Sequence, residues 1–349
     1  MRSLTNPRCT RTCAATNAQS PIPNAAAFTL PSPRYAAPVS AFAHNPAHVP
    51  VLLAACLRVL APKPGETFAD CTAGLGGHAG AIARVIGKGR VVLNDADMAN
   101  LALAAAHVAQ VSPQVSVVSS HGNFAELCHK LEAAQTPADM VLADLGFASN
   151  HVDDAARGFS FKRDGPLDMR MNPSTGPTAA ELVNTLPEAE LARILEEYGE
   201  ERNARKIARK LADLRRKSPI ATTGQLADAV RSVSPAHGSP IDPATRTFQA
   251  VRIAVNDELG SLEALLLAIE DAVKQINHKR ATWLSSGARV AIISFHSLED
   301  RAVKQAFAKL VKAGCTDLTN GCVTAEDGEE MANPRSRSAK LRAIALPAG

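Results

Sequence analysis

No stretch of this 349-residue chain approaches the roughly 18 or more consecutive apolar residues that a membrane-spanning helix needs. Its longest apolar runs are cut by Arg, Lys, Asp or Pro, so no membrane partner is expected. Cysteine pairing is missing too. The seven cysteines, at 9, 13, 56, 71, 128, 315 and 322, include no CxxC, which argues against a disulfide framework and a zinc-finger spacing. Cys315 and Cys322 are near enough in sequence to cooperate on a metal. The plainer reading is inert thiols in a reducing compartment, with no metal.

Acidic residues are absent from the first 43 positions, which carry Arg2, Arg8, Arg11 and Arg34. Those four arginines account for the whole formal charge of +4 and leave 34 basic against 34 acidic residues elsewhere. Net charge therefore does not point to nucleic acid, and an RNA-binding surface has to come from local clustering. Residues 1–43, rich in Pro, Ala, Ser and Thr, show no periodicity that could bury a face and read as a disordered extension. They lack the continuous apolar core of about 7–15 residues that a secretory signal requires. Arg-bearing and acid-free, they resemble an organellar transit peptide; a plain extension or a misassigned start codon are the alternatives. The expected location is the cytoplasm, with organellar import as the second reading.

From about residue 66 short apolar segments alternate with helical ones. Thr67–Cys71, Arg90–Asp95, Val115–Ser119 and Asp139–Asp144 read as buried parallel strands, with helices near 78–86, 97–109 and 124–134 between them. Residues 152–245 contain no convincing strand, only loop signals and polar helices. A helix resumes at Phe248 with Val251, Val255, Leu259 and Leu262 on one face. Arg289–Ser294 is another strand, a helix follows from about Leu298, and Leu341–Leu346 is a candidate last strand. The pattern implies an α/β fold: a doubly wound sheet from 44–151 and 246–349, with a helical insertion at 152–245 between its fourth and fifth strands.

In such a sheet ligands bind beyond the carboxyl ends of the strands, at the switch point. There the first strand ends in Asp70-Cys-Thr-Ala-Gly74-Leu-Gly76-Gly77-His78. The glycines permit a sharp turn and close approach to a ligand, although Gly74-x-Gly76-x-x-Ala79 would also serve a dinucleotide. Asp95 closes the second strand, where a carboxylate can accept from both ribose hydroxyls in a dehydrogenase or a methyltransferase alike. Asp70 discriminates. An acid there would repel a pyrophosphate but suits the ammonium and sulfonium of S-adenosylmethionine, and Asp144 at the end of the fourth strand adds a second negative charge. Turn or helix-capping roles are the bland alternative for both.

Further stretches carry a resemblance. They are His48-Val-Pro-Val-Leu-Leu53, the run from Arg157-Gly-Phe-Ser-Phe to Asp168-Met-Arg-Met171, Pro243-Ala-Thr-Arg-Thr-Phe-Gln-Ala-Val-Arg252, Ile293-Ser-Phe-His-Ser-Leu-Glu-Asp-Arg301 and Asn333-Pro-Arg-Ser-Arg-Ser338. With Asp70–His78 they resemble the ribosomal RNA small-subunit methyltransferase H family from about His48 to the C-terminus. The resemblance implies a Rossmann-like class I methyltransferase that uses S-adenosylmethionine to methylate N4 of a decoding-centre cytidine in small-subunit ribosomal RNA. It implies cofactor contacts at Gly76, Gly77, His78, Asp95, Phe124, Asp144 and the position of His151. At that last position the chain departs from the family. Asp144-Leu-Gly-Phe-Ala-Ser-Asn-His151 stands where the family has Asp-Leu-Gly-Val-Ser-Ser-Pro-Gln, so a titratable ring replaces an amide.

A cytosine amine needs acceptors and alignment more than a strong base. Asp144 and the carbonyls of Leu145–Phe147 are the expected acceptors, Phe147 is a candidate to stack on a flipped base, and His296 is a second catalytic candidate or a structural hydrogen-bonding residue. On a helical projection Arg202, Arg205, Lys206, Arg209 and Lys210 share one side, opposite Ile207, Leu211 and Leu214. That stripe can follow the phosphates of small-subunit RNA, free or in an assembled subunit, or be a solvated face. The loop Arg157–Arg170, with Phe159 and Phe161, is the alternative RNA contact. Two rival functions remain: an NAD-dependent dehydrogenase, and a non-catalytic RNA-binding assembly factor.

Overall fold

A computed structural model describes residues 50–234 and 242–348. The expectations for residues 1–43, and the first two residues of the His48 motif, lie outside these. Helix α1 (Leu53–Leu60) precedes three strand–helix units: β1 (Thr67–Asp70), α2 (Gly77–Ile86), β2 (Arg90–Asp95), α3 (Met98–Val111), β3 (Ser116–His121) and α4 (Leu127–Ala133). β4 (Ala138–Asp144) leads into a helical stretch comprising α5 (Ser149–Asp153), α6 (Ala179–Thr185), α7 (Glu188–Gly199), α8 (Ala204–Arg215), α9 (Thr223–Val233), α10 (Ala244–Asn256) and α11 (Glu258–Asn277). The chain returns to the sheet in β5 (Leu284–Ser294) and closes with α12 (Ser297–Lys312), β6 (Thr316–Asp317), β7 (Val323–Thr324), α13 (Asp327–Ala332) and β8 (Lys340–Ala345).

The strand order is β3-β2-β1-β4-β5-β8-β6, with β7 also on β8. β1 to β5 are mutually parallel, whereas β8 runs antiparallel to β5. Alternation along the strands explains the two apolar layers. Phe68, Leu142 and Ile293 point into a cluster with α1, α2 and α3, and their neighbours Ala69, Val141 and Ile292 point into one with α4, α11 and α12. This is the doubly wound sheet the sequence implies. The direction of winding reverses between β1 and β4, so Asp70 and Asp144 end the two strands at the switch point.

A third cluster lies in the helical stretch. Leu182, Ile194, Ile207, Leu211, Leu226 and Val230 pack there with Phe248 and Val251 of α10. This apolar packing continues past residue 245 to Val255. The single apolar face expected from Val251 to Leu262 is divided between two helices. Asp257 adopts a left-handed conformation (φ 47°) between α10 and α11, sending Val251 into the helical cluster and Leu262 onto the sheet. No helix among the described residues is long and apolar enough to cross a membrane.

Candidate active site

Three carboxylates gather at the carboxyl edge of the sheet. Asp70 is almost fully buried and accepts a hydrogen bond from Thr72 N at 3.1 Å. Asp95 is gripped by two backbone donors, Gly74 N at 2.7 Å and Asp97 N at 2.8 Å. Asp144 is tied through its own backbone N–H to Thr72 Oγ1 at 2.7 Å, which holds the β4 end against the β1 turn. Burial raises all three pKa values, Asp70 to about 7, Asp95 to about 6 and Asp144 to about 8, with Asp70 and Glu299 adding repulsion at Asp144. Crowded, poorly solvated acids of one sign are stabilised by a cation.

The glycine turn is tight for steric reasons. Gly76 has φ +82°, and a Cβ there would lie 2.9 Å from the Ala104 backbone; one on Gly77 would lie 2.5 Å from Pro50. His78 stands behind Asp144. Its Nε2 donates to the Val51 carbonyl at 2.9 Å, and burial lowers its pKa to about 4. The imidazole is therefore neutral, and its Nδ1, 3.7 Å from Asp144 Oδ2, makes no ion pair. Asp144 Oδ1 is buried with no hydrogen-bond partner among the described residues, although a quarter of the side chain is open. Such an orphaned oxygen marks a place where the fold leaves an acceptor for a ligand.

His151 is buried and stacks on Phe159 at 5.0 Å. Its Nε2 bonds Asp97 Oδ2 at 2.9 Å, which also receives Arg157 Nη1 at 2.6 Å. Burial opposes ionisation of Asp97, but the bonds from His151 and Arg157 outweigh it and hold its pKa far below the carboxylate range. Since Asp97 N–H also orients Asp95, the ring supports that carboxylate through Asp97, and its buried Nδ1 has no partner among the described residues. Phe124 is partly buried against the cluster under α11, opening the 3-10 turn before α4.

Beside Asp144 a second group assembles. Phe147 is 39% exposed, and the Arg252 guanidinium lies 4.6 Å from its ring centroid. Arg252 is clamped by Glu258 through Nε (2.7 Å) and Nη2 (2.8 Å). His296 caps α12, its Nδ1 accepting weakly from Glu299 N at 3.5 Å while Glu299 reaches back to Phe295 N at 2.9 Å. The structural reading of His296 thus accounts for Nδ1. Nε2 lies 3.1 Å from Glu299 Oε1 without forming a hydrogen bond. Glu258, His296 and Glu299 bring ligand atoms within 4.8 Å of one another. Arg252 already stands as the counter-cation at Glu258. Cys315 is buried, Cys322 is exposed, and neither joins this group.

The basic stripe falls on α8, with one difference. Arg205, Lys206, Arg209 and Lys210 lie on the helix opposite buried Ile207 and Leu211, but Arg202 precedes it, in the turn before Asn203. None of the five has a side-chain ion pair or hydrogen bond among the described residues. By contrast, the alternative loop is occupied internally. Arg157 serves Asp97 and two backbone carbonyls, Arg170 serves Asp168, and Arg163 donates to the Asp153 carbonyl.

A model of the MraW methylase family matches residues 45–346. The chain belongs to this family. It is a methyltransferase that uses S-adenosylmethionine, and the dehydrogenase alternative falls. Among its relatives are the ribosomal RNA small subunit methyltransferases H of Heliobacterium modesticaldum, 42% identical over 316 residues, and Acidobacterium capsulatum, 44% identical over 304. Each match spans 85% of this chain and 97% of the relative. A putative rRNA-methylase structure from Clostridium thermocellum overlaps 83% of this chain and 92% of its own at 10% identity, with a TM-score of 0.36.

The donor set fits the cofactor of a methylase: the crowded carboxylates of Asp70 and Asp144 would be stabilised by a cation, and Asp95 offers a strand-end carboxylate of the kind a ribose needs. The glycine turn comes within hydrogen-bond reach of Asp95. Because Asp95 also holds Gly74 N–H, truncation to Ala would disturb the turn as well as the ribose contact. Asp95→Asn is the cleaner variant. It should weaken S-adenosylmethionine binding by about 1.5–3 kcal/mol, the range for hydrogen bonds to charged groups, with melting nearly unchanged. Calorimetric titration giving wild-type affinity in a folded variant would remove Asp95 from the site.

Sequence reasoning missed Asp97, Arg252, Glu258 and Glu299. Glu299 had a signal, standing three residues after a helix-capping His296 ahead of an apolar run. Arg252 and Glu258 are six apart across a helix break, outside the spacing at which helical pairs meet.

Proposed function

We propose that this methylase modifies the N4 amine of a cytidine in the decoding centre of small-subunit ribosomal RNA. The observation that carries the reading is the unpartnered Asp144 oxygen beside exposed Phe147, at the edge where β1 and β4 diverge. The names of the relatives support the RNA class. Bound S-adenosylmethionine supplies an electrophilic methyl group on a cationic sulfur. The chain itself supplies acceptors and alignment. The Asp144 carboxylate and the carbonyls of Leu145–Phe147 take the amine hydrogens, directing the nitrogen lone pair toward the methyl carbon. As the N–C bond forms and the C–S bond breaks, the amine loses a proton, which Asp144 can hold before release to water. Orientation of this kind contributes several kcal/mol without a strong base.

The α8 stripe, and residues 152–245 around it, are proposed as the RNA-recognition part, acting on free RNA or an assembled subunit. The turn between α7 and α8 supports this. Glu200 there accepts from Ser297 Oγ at 2.8 Å and Arg301 Nη2 at 3.3 Å, tying the start of the stripe to the residues just after His296.

Mapping ribosomal RNA modification in cells lacking the protein tests the function. Loss of one methyl group from N4 of a decoding-centre cytidine is expected; an unchanged map would leave the non-catalytic assembly factor.

The acids add a pH dependence. With Asp144 near 8, Asp70 near 7 and Asp95 near 6 in the ligand-free protein, much of the negative charge is missing at pH 6. A cationic ligand favours the ionised forms, so its binding should release protons and tighten about tenfold or more between about pH 6 and 8. Calorimetry in buffers of different ionisation enthalpy reads both. A flat affinity with no proton release would show that the acids do not face the sulfonium.

A further inference from the structure

We propose that Arg252 is the residue that selects the base, its free guanidinium edge donating to the acceptor side of a flipped cytosine while Asp144 takes the amine. The proposal rests on the cytidine reading above and adds to it the group that tells cytosine from its competitors.

Three observations carry it. Glu258 fixes the guanidinium through Nε and Nη2, leaving Nη1 without a partner among the described residues. The pair is largely enclosed, with Arg252 13% and Glu258 9% exposed, so the donor is held in place. The guanidinium lies over Phe147, three residues beyond Asp144 and the exposed aromatic at this edge. A pair serving only the helix break could spend all its donors internally, as Arg157 does on Asp97 and two carbonyls.

The chemistry is complementary. On its pairing edge cytosine offers a donor, the N4 amine, next to two acceptors, N3 and O2. An acceptor from Asp144 beside donors from Arg252 matches that order, and a flipped base is read on this edge. Uracil carries O4 where the amine would be and N–H at position 3, so it would set acceptor against carboxylate and donor against guanidinium. Sites built on buried polar partners reject such mismatches strongly, because the groups are left unpaired. Glu258 is then a positioning residue, acting through Arg252.

Two measurements test the assignment. The first is single-turnover methylation of small subunits purified from cells lacking the enzyme. There Arg252→Gln should slow transfer about 30-fold or more, the scale of a lost charged hydrogen bond, with S-adenosylmethionine affinity within about twofold of wild type. Glu258→Gln should slow it by about five- to tenfold. The second is competition by free nucleosides. Cytidine should inhibit wild type about tenfold better than 3-deazacytidine, which keeps the amine but has C–H in place of N3, and Arg252→Gln should not distinguish them. If Arg252→Gln melts early because Glu258 is left unpaired, Arg252→Gln/Glu258→Gln removes both charges and gives the same readouts. Transfer by the Gln variant within about threefold of wild type would overturn the assignment, as would equal inhibition of wild type by the two nucleosides. Product digestion separates the two levels: wild-type product without N4 methylation would overturn the cytidine reading itself.

Discussion

Asp144→Asn is expected to slow methyl transfer by about a hundredfold or more, the scale of losing one aligned polar group at a reacting centre. It is also expected to raise the melting temperature of the ligand-free protein above neutral pH. On the function proposed above, the first effect follows from removing an acceptor of the amine proton and a charge beside the sulfonium. The second follows from linkage. Burial and repulsion from Asp70 and Glu299 raise the Asp144 pKa from the ordinary 3.8 to about 8, so the fold binds a proton more tightly there than the unfolded chain does. The stabilisation this gives is complete below the unfolded pKa and disappears as pH rises through the folded one. Ligand-free wild type should therefore lose stability from about pH 4 to about pH 8, and the Asn variant should lose less. Single-turnover rates and melting across that range check both. Near-normal transfer would show that the charge is dispensable, and a lower melting temperature at high pH would make Asp144 a structural acid.

The fold was legible where burial is two-sided. β1, β2, β4 and β8 lie within one or two residues of their sequence-based bounds, because strands covered on both faces read as short apolar runs. β5 begins at Leu284, five residues before the expected start, since Ser285, Ser286 and Gly287 carry no apolar signal. β6 and β7, two residues each and mostly exposed, offer no period at all. The helix break at Asp257 was hidden for the opposite reason: Val251, Val255, Leu259 and Leu262 keep a helical period straight through it. The site divides in the same way. Asp70, Asp95 and Asp144 are legible because topology alone puts strand-end residues at the carboxyl edge of the sheet. The Arg252–Glu258 clamp depends on the break, and the Asp97–His151–Arg157 network joins residues 54 and 60 apart, so neither has a local signature.

Reversing Arg205 and Arg209 to Glu should weaken binding to small subunits by about a hundredfold at roughly 0.15 M salt. Both cations stand on the open face of α8 with no partner among the described residues, whereas on α7 Arg193 is held by Glu190 and Glu197. A cation left free on a helix that starts beside the active-site edge is available to a phosphate; a paired one is largely neutralised. Replacing the same two residues with Gln leaves helix propensity nearly level, so melting should barely move. Each lost phosphate contact should flatten the log–log salt dependence of binding by somewhat less than one unit. S-adenosylmethionine affinity should stay at wild type in both variants, because α8 holds none of the strand-end acids. A salt series in which the Gln variant binds and methylates like wild type would make the stripe a solvated face. The Arg157–Arg170 loop could then contribute little in its place, since Arg157, Arg163 and Arg170 are already bonded within the protein and Lys162 is the cation it has left to offer.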